Sequence, residues 1–485
     1  SNTDGNFRFQ GTQFSYKHNF PKAGHELTAD INYNSSKNDN NNLIETDYFT
    51  YPLKQMTGSF SQRQIINGNN NNWIIQSDYT NPLTENSKLE AGVRASIRNT
   101  DSKNDFYFFD ASNNPVYNPL LSVNYTSKDQ VYAAYTTYTN QIKNFGYQLG
   151  LRVESSNYEG HLPDKQQDFK INFPVSLFPS FFLSNKMKNN QELQINYTRR
   201  INRPNFFQLY PFTDYSDSLN LSRGNPGLKP EFTNSVELSY EKTFKNRDNF
   251  LASLYYKNTN DLITRYQVTE NDIITNKEIL VNTYINANSS YVTGLELIAK
   301  NKMTKWWDLT SNLNIYTSKI NISDPNQPKQ SQFASWFGKL NNTFKLPKNF
   351  TIQLSGDYQS KTILPPGGSN SNNNRGGFGG MFGAPTASQG YVRATYGVDA
   401  AVKYDFLKNK QASVSLNIND IFRTRSQDIH SESAYFVQDA FRRRDPQILR
   451  LNFNWRFGKF DAALFKRKDL KNQNDGMDNM NMGQQ

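Results

Sequence analysis

"LRLNFNWRFG", residues 449–458, decides how this chain is read. Leu449, Leu451, Phe453, Trp455 and Phe457 alternate with Arg450, Asn452, Asn454 and Arg456 without a break. Period-2 alternation defines a strand with one apolar and one polar face. In a soluble sheet the apolar face would turn to a core. In a membrane barrel it would turn outward to lipid, leaving the arginines in a wet interior.

The same alternation recurs along the chain. Phe145, Tyr147, Leu149, Leu151 and Val153 alternate with Gly146, Gln148, Gly150, Arg152 and Glu154, and a similar phase runs through Tyr396–Asp405 and Val414–Asn419. About seventeen such segments occur, most of them twice the usual strand length of ~5–6 residues. No helical periodicity of three or more turns accompanies them.

The connections choose between the two readings. Every second one is a short polar turn: 21–24, 81–87, 140–144, 185–189, 245–248, 301–305, 346–349 and 407–410. Those between are read as long loops, at 37–72, 100–128, 201–232, 267–288, 364–391 and 425–445. Short turns at one end and long loops at the other mark an outer-membrane barrel, whereas a β-sandwich has no reason to segregate them. Arg152, Lys403, Arg450 and Arg456 all share the polar phase, as they must, because Arg or Lys facing lipid at the midplane costs ~2–4 kcal/mol. The tryptophans fit interfacial belts: Trp73 and Trp336 are placed near loop-side strand starts, and Trp306, Trp307 and Trp455 near turn-side ends. The fold expected is therefore all-β, a transmembrane antiparallel β-barrel over residues 1–458, with a polar periplasmic tail at 459–485.

Composition agrees. Hydrophobic residues are only 36% of the 485, yet aromatics reach 14%, with 28 Tyr and 35 Phe. Disordered chains are poor in aromatics, whereas long amphipathic strands facing much water produce this combination. No run approaches the ~18 apolar residues of a membrane helix, which excludes helical spans and leaves barrel strands open. "SNTDGNF" at the start lacks the basic and apolar regions of an export signal. The absence of cysteine rules out disulfides and thiolate metal sites. The net charge of +11 is spread apart from short clusters such as Arg442–Arg444 and Lys466–Lys468, and no nucleic-acid-binding motif accompanies it. Nucleic acid is not an expected partner.

Little chemistry is visible. His18, His25, His161 and His430 form no zinc-type spacing. No nucleophile elbow, phosphate loop or catalytic cysteine occurs. Asp214 and Asp217, in "FTDYSDSLN", read as turn formers rather than calcium or sugar ligands. The Gly- and Asn-rich stretch 365–390 fails the dinucleotide spacing, since Phe382 stands where a third glycine belongs, and reads as a surface loop. The chain is read as a non-enzyme without cofactor or metal.

One stretch is more specific: "YTRRINRPNFFQLYPFTDYSDSLNLSRGNPGLKPEFTNSVELSYEKTF", 197–244. It resembles the strand–loop–strand signature of TonB-dependent receptor barrels of the Bacteroidota type. The residues that carry it are Arg199, Arg200, Arg203, Pro204 and Phe206, "YPF" at 210–212, then Gly224, Asn225, Pro226, Lys229, Pro230 and Glu231. "GHELTADINY", "NPLTENSKLEAGVRAS" and "SLNINDIFRTR" look family-like too. The four prolines deny strand pairing and favour fixed turns, so 203–231 is expected to be a folded extracellular loop with a bracing role.

The resemblance implies a barrel of about 22 strands filled by a plug domain. It also implies a large or scarce solute (siderophore, glycan or peptide) bound outside, and the periplasmic energy-coupling protein TonB pulling on the plug. Outer-membrane lipid and a surface lipoprotein are further partners it allows. The sequence shows no plug and no TonB box, so it reads as the C-terminal part of the barrel. Strand parity then requires an odd number of earlier strands, five giving 22, lying between 7–20 and 446–458. The alternatives are a structural, secretion-associated or adhesin scaffold with the same fold, and a soluble carbohydrate-binding β-protein.

Overall fold

The computed structural model describes all residues except 1, 51–53, 111, 120, 210–212, 214–220, 272–277, 322–331, 333, 365–388, 433–436, 444–446 and 458–485. The Gly-rich stretch as far as 388, the C-terminal tail, "YPF", Asp214 and Asp217 therefore lie outside the described residues. The chain divides into two compact units, one of Ser1–Phe181 with Pro211–Ser222 and one of Phe182–Tyr210 with Arg223–Gln485.

In the first unit, β1 (Asn2–Asn19), β2 (Glu26–Phe49), β3 (Met56–Pro82) and β4 (Ser87–Phe109) pair antiparallel in chain order. The three-residue β5 (Pro115–Tyr117) folds back on β4, which then pairs with β6 (Val123–Ile142), and β6 pairs with β7 (Phe145–Leu162). Strand β8 (Gln167–Met187) begins in this unit. Cross-strand register separates two kinds of row. Phe14, Ile31, Ile75, Ala95 and Tyr132 lie side by side on one face. One residue along, Ser15, Asp30, Gln76, Arg94, Ala133 and Glu154 lie side by side on the other.

The second unit continues with β9 (Gln191–Asn202), one helical turn α1 (Phe206–Leu209), β10 (Glu231–Thr243), β11 (Asn249–Asn271), β12 (Glu278–Lys302), β13 (Trp307–Asn321), β14 (Ala334–Leu346) and β15 (Phe350–Gln359). Strands β9 to β15 pair in sequence order. Ile195, Leu238, Leu254, Leu295, Ile315 and Trp336 form one cross-strand row and all are exposed. On the opposite face Ser253 is 2% exposed, against 55% for Leu254. Apolar side chains outside and polar ones inside invert the burial of a soluble protein. The arrangement is stable only when the outer face meets lipid.

The last strands are built in two storeys. β15 pairs with β18 (Thr395–Phe406), β18 with β19 (Ala412–Ile418), and β19 with β22 (Leu449–Trp455). Above them β16 (Thr362–Leu364), β17 (Gln389–Val392), β20 (Gln427–Glu432) and β21 (Val437–Arg442) repeat the same order as a separate sheet. Through this register Leu451 stands beside Leu416, Val402 and Ile352, while Asn452 stands beside Ser415, Lys403 and Thr351. The two faces of "LRLNFNWRFG" thus continue the two faces of the wall.

Twenty-two strands are described; four belong to the upper sheet and β5 is a short flap, which leaves the number of wall strands the sequence pattern predicts. Every predicted short turn falls between two paired strands. The long loops are the correction. Residues 37–49 and 56–72 are strand, as are 100–109, 123–128, 267–271 and 278–288. At 27 residues, β3 runs about 90 Å at ~3.3 Å per residue, against an apolar band of ~25 Å. Its upper part, rich in Asn, has no hydrocarbon on either face and so lacks the alternation that marks a strand. Trp73 accordingly lies inside β3 rather than at its start.

Candidate functional site

The polar face of each unit carries most of its charged and hydrogen-bonding side chains. In the first unit, Tyr135 reaches from β6 across Gly92 of β4 and donates its hydroxyl to Asp78 on β3. A Cβ on Gly92 would lie 2.6 Å from the Tyr135 ring, so only glycine leaves room for this crossing. Asp78 also accepts from the Gln76 amide at 2.8 Å. Further up the same face Arg98 binds Asp129 at 2.8 Å, and Arg152 pairs with Glu154 along β7.

The second unit repeats the device. Tyr255 on β11 crosses Gly294 of β12, where a Cβ would lie 2.6 Å from its hydroxyl, and donates to Asn314 on β13 at 3.0 Å. Ser239 and Ser253 share a hydrogen bond of 2.8 Å, and Asn312 donates to Glu296 at 2.9 Å. Charges and amides on this face are mostly satisfied within it, which keeps the wall rigid.

At the seam between the two storeys, "NDIFRTR" leaves β19 and turns over the polar face. Asp420, 1% exposed, accepts from the backbone N–H groups of Thr424 and Arg425. The Arg425 guanidinium then bridges Asp399 on β18, at 2.7 and 3.0 Å, and Asp357 on β15. It lies over Gly397, whose missing side chain makes its bed. Sequence reasoning flagged the segment only as family-like; the signal it held was an Arg five residues after an Asp at a strand end.

Residues 223–231 of the loop are folded against strands β11 and β12. Arg199 lies over the Phe232 ring at 4.8 Å, and Arg200, one residue on, belongs to the opposite face of β9. Beyond Arg203, whose neighbour Pro204 is buried, Asn205 and Gln208 cap each other's backbone N–H groups across the turn that opens at Phe206. Gly224 is buried, and Asn225 makes the central tie. Its amide donates to the Tyr284 carbonyl at 2.9 Å, while its oxygen accepts from Gly227 N–H across the Pro226 turn. Arg223 binds Glu270 through both guanidinium nitrogens, at 3.1 and 2.7 Å. Lys229 exchanges both backbone groups with the Asn286 side chain, and Pro230 and Leu228 are buried.

Glu231 closes the motif. Strand β10 stops there, while β11 continues upward beyond its pairing with β10. The Glu231 carboxylate takes the place of the next ladder carbonyl, accepting from Ile263 N–H at 2.6 Å and from the Asn202 amide at 2.7 Å. β10 is 13 residues long, more than the ~9–11 a barrel strand needs to span, so Glu231 at its loop end stands above the membrane. Burial pushes its carboxyl above the usual carboxylate range, against the pull of those two donors.

In the second unit the tryptophans occupy two levels of the apolar face. Trp336 stacks on Tyr358 at 4.6 Å, whereas Trp306 and Trp307 both meet Phe344 at 6.0 Å near the turns. Trp455 ends β22 and meets Phe457 at 5.5 Å. Trp73 packs on Tyr33 at 4.5 Å. The histidines stay apart: His25 bonds Tyr79, His161 bonds Asp168 and His430 bonds Asp439. Among the described residues no cluster of three or more His, Asp or Glu could hold a metal ion.

An inside-out antiparallel wall with short turns at one end, girdled by aromatics, defines a transmembrane β-barrel of an outer membrane. The chain belongs to the outer membrane protein beta-barrel family, whose pattern it matches over residues 18–455. No curated protein matches it. Among solved structures it is similar to the ferric citrate transporter FecA in its unliganded form, with a TM-score of 0.62 and 14% identity over 93% of this chain and 62% of that one. The copper transporter OprC gives 0.64 and 12% over 93% and 66%. The receptor FpvA from Pseudomonas aeruginosa PAO1 bound to pyoverdine gives 0.61 and 13% over 94% and 62%. At such identities the likeness is one of fold. The chain spans less than two thirds of the length of each of these.

Proposed function

We propose that this chain is the barrel wall of a TonB-dependent outer-membrane receptor of the Bacteroidota type, which imports a large or scarce solute such as a siderophore, glycan or peptide. The observation that carries the reading is the folded segment 223–231. Its signature residues, from Gly224 to Glu231, lock a rigid rim onto the tall strands β11 and β12, as a receptor mouth requires. The fold likeness to proteins named as ferric citrate, copper and pyoverdine receptors supports it. In this reading the interior holds a plug on which TonB acts, a surface lipoprotein is a further partner, and residues 459–485 lie in the periplasm. In the second unit Trp336 marks the loop-side membrane interface and Trp306, Trp307 and Trp455 the turn-side one; in the first unit Trp73 marks the loop side. Along β14 the step from Trp336 to Phe344 is about 20 Å at ~3.3 Å per residue and ~40° tilt, close to the ~25 Å apolar band.

The test is growth of a strain lacking the complete gene on media limiting in chelated iron, copper, oligosaccharide or oligopeptide. A defect on one of these, reproduced by loss of TonB, is the predicted result. Normal growth on all of them, with a lost secreted or surface protein instead, would favour the scaffold reading.

A further inference from the structure

The first unit carries a cleft of about 540 Å³ whose lining comes from β3, β4, β6, β7 and β8. Strand phase tells which side it opens on. On β3 the lining side chains Asn69 and Asn71 share the face of Trp73 and Ile75; on β4, Asn99 and Asp101 share that of Val93, Ala95 and Ile97. The cleft is therefore on the apolar, outward face and not on the polar wall. Cross-strand register sets Asn71 beside Asn99, Asn99 beside Lys128, and Lys128 beside Glu159. One step higher Asn69, Asp101, Thr126 and His161 stand in line. β8 completes both rows, since Lys170 binds Glu159 at 2.7 Å and Asp168 binds His161.

Height fixes what can reach it. Trp73 is the aromatic directly below Asn71 on the same face, tilted against Tyr33, whose hydroxyl donates to Asn71 at 3.0 Å. Below Trp73 the outward rows are mainly apolar, with Ile75, Ala95 and Tyr132 in one and Val93, Ala134 and Val153 in the next, interrupted by Ser77 and Ser155; above it every outward side chain of the two cleft rows is polar or charged. The cleft therefore sits where acyl chains end and outer-leaflet headgroups begin. Its chemistry is mixed. Two lysines face three carboxylates, Lys170 and the Asn157 amide hold the Glu159 carboxyl below the usual carboxylate range, and three asparagine amides each offer donor and acceptor. Near-balanced charge disfavours a strongly ionic ligand. Alternating donors and acceptors above an aromatic edge fit the vicinal hydroxyls and ring faces of a sugar.

We propose that this outward cleft binds the saccharide headgroup of an outer-leaflet glycolipid, a site separate from the solute path. A free saccharide has the same chemistry, so the source must be tested. The full-length protein is reconstituted in vesicles of phospholipid alone, with rough lipopolysaccharide, or with phospholipid plus the soluble core oligosaccharide. Amine labelling of Lys128 and Lys170 is followed by mass spectrometry, with Lys22 in a short turn as reference. Lipopolysaccharide should slow labelling of both lysines at least fivefold relative to Lys22, with the free oligosaccharide leaving it within twofold. Unchanged labelling overturns the proposal, and equal protection by the free sugar overturns the lipid source. As a second readout, Asn71→Leu combined with Lys128→Met, checked for folding by heat-modifiability, should retain at least fivefold less lipopolysaccharide in native mass spectra. Equal retention by the folded variant contradicts the site.

Discussion

Replacing Glu231 tests the rim most sharply. Its carboxylate is the acceptor for Ile263 N–H, and Ile263 is 4% exposed, so no water stands ready to replace it. Glu231→Ala leaves one buried donor unsatisfied, a loss of about 1–3 kcal/mol, or roughly 5–150-fold in local opening. The other donor, the Asn202 amide, belongs to an exposed residue and recovers most of its bond from solvent. Glu231→Gln keeps a carbonyl toward Ile263, and Asn202 can turn its oxygen toward the new amide, so the cost should stay below about 1 kcal/mol. Hydrogen exchange at the Ile263 amide, in detergent or bilayer, reads the difference without global unfolding.

The pH dependence has a definite sign. Because burial raises the folded-state carboxyl above its unfolded value, its contribution to stability is full below the unfolded value. It is lost as pH rises through the raised one. Exchange at Ile263, corrected for intrinsic rate, should therefore quicken from about pH 4 upward and then level off in the wild type, and show no such step in Glu231→Gln. Equal protection in wild type and Glu231→Ala would refute the role given to this carboxylate.

Three further outcomes follow from the wall. Gly92→Ala should push the Tyr135 ring off β4 and cost about 1–3 kcal/mol in urea unfolding, whereas in a Tyr135→Ala background it should cost nearly nothing. Arg425→Met strands two carboxylates at the seam, Asp399 and Asp357, and should destabilise the barrel by about 2–3 kcal/mol, below the figure for a fully buried pair because Arg425 is partly exposed. Arg425→Lys should recover only part of it, for want of a planar fork. Leu254→Arg should lose ~2–4 kcal/mol of folding free energy in bilayers, measured against Leu254→Ala.

The spanning part of the fold was legible because lipid imposes a rule on every second residue. Leu451 and Asn452 could be assigned to faces by phase alone, and register through β19, β18 and β15 gives the same division. The sequence became opaque where lipid stops. Above Trp73, strands β3 and β4 continue through "NGNNNN" and "NTDSKND" with no hydrocarbon on either side, so no alternation marked them as strands. At 223–231 the local signals, prolines and an Asn-Pro-Gly turn, announce a fixed conformation. They could not show that Glu231 caps the edge of β11, because Ile263 is remote in sequence. Arg425 escaped for the same reason, since its partners Asp399 and Asp357 lie on other strands.

The inside-out wall is tested most directly by nitroxide labels placed singly at 251–256 on β11 in lipid vesicles. Ala252, Leu254 and Tyr256 share the outward face, and Leu251, Ser253 and Tyr255 the polar one. Labels at 252, 254 and 256 should be highly accessible to lipid-dissolved oxygen and shielded from a water-soluble nickel chelate, with 251, 253 and 255 showing the opposite ratio. Uniform accessibility along the strand, or high nickel accessibility at 254, would contradict a membrane-spanning barrel.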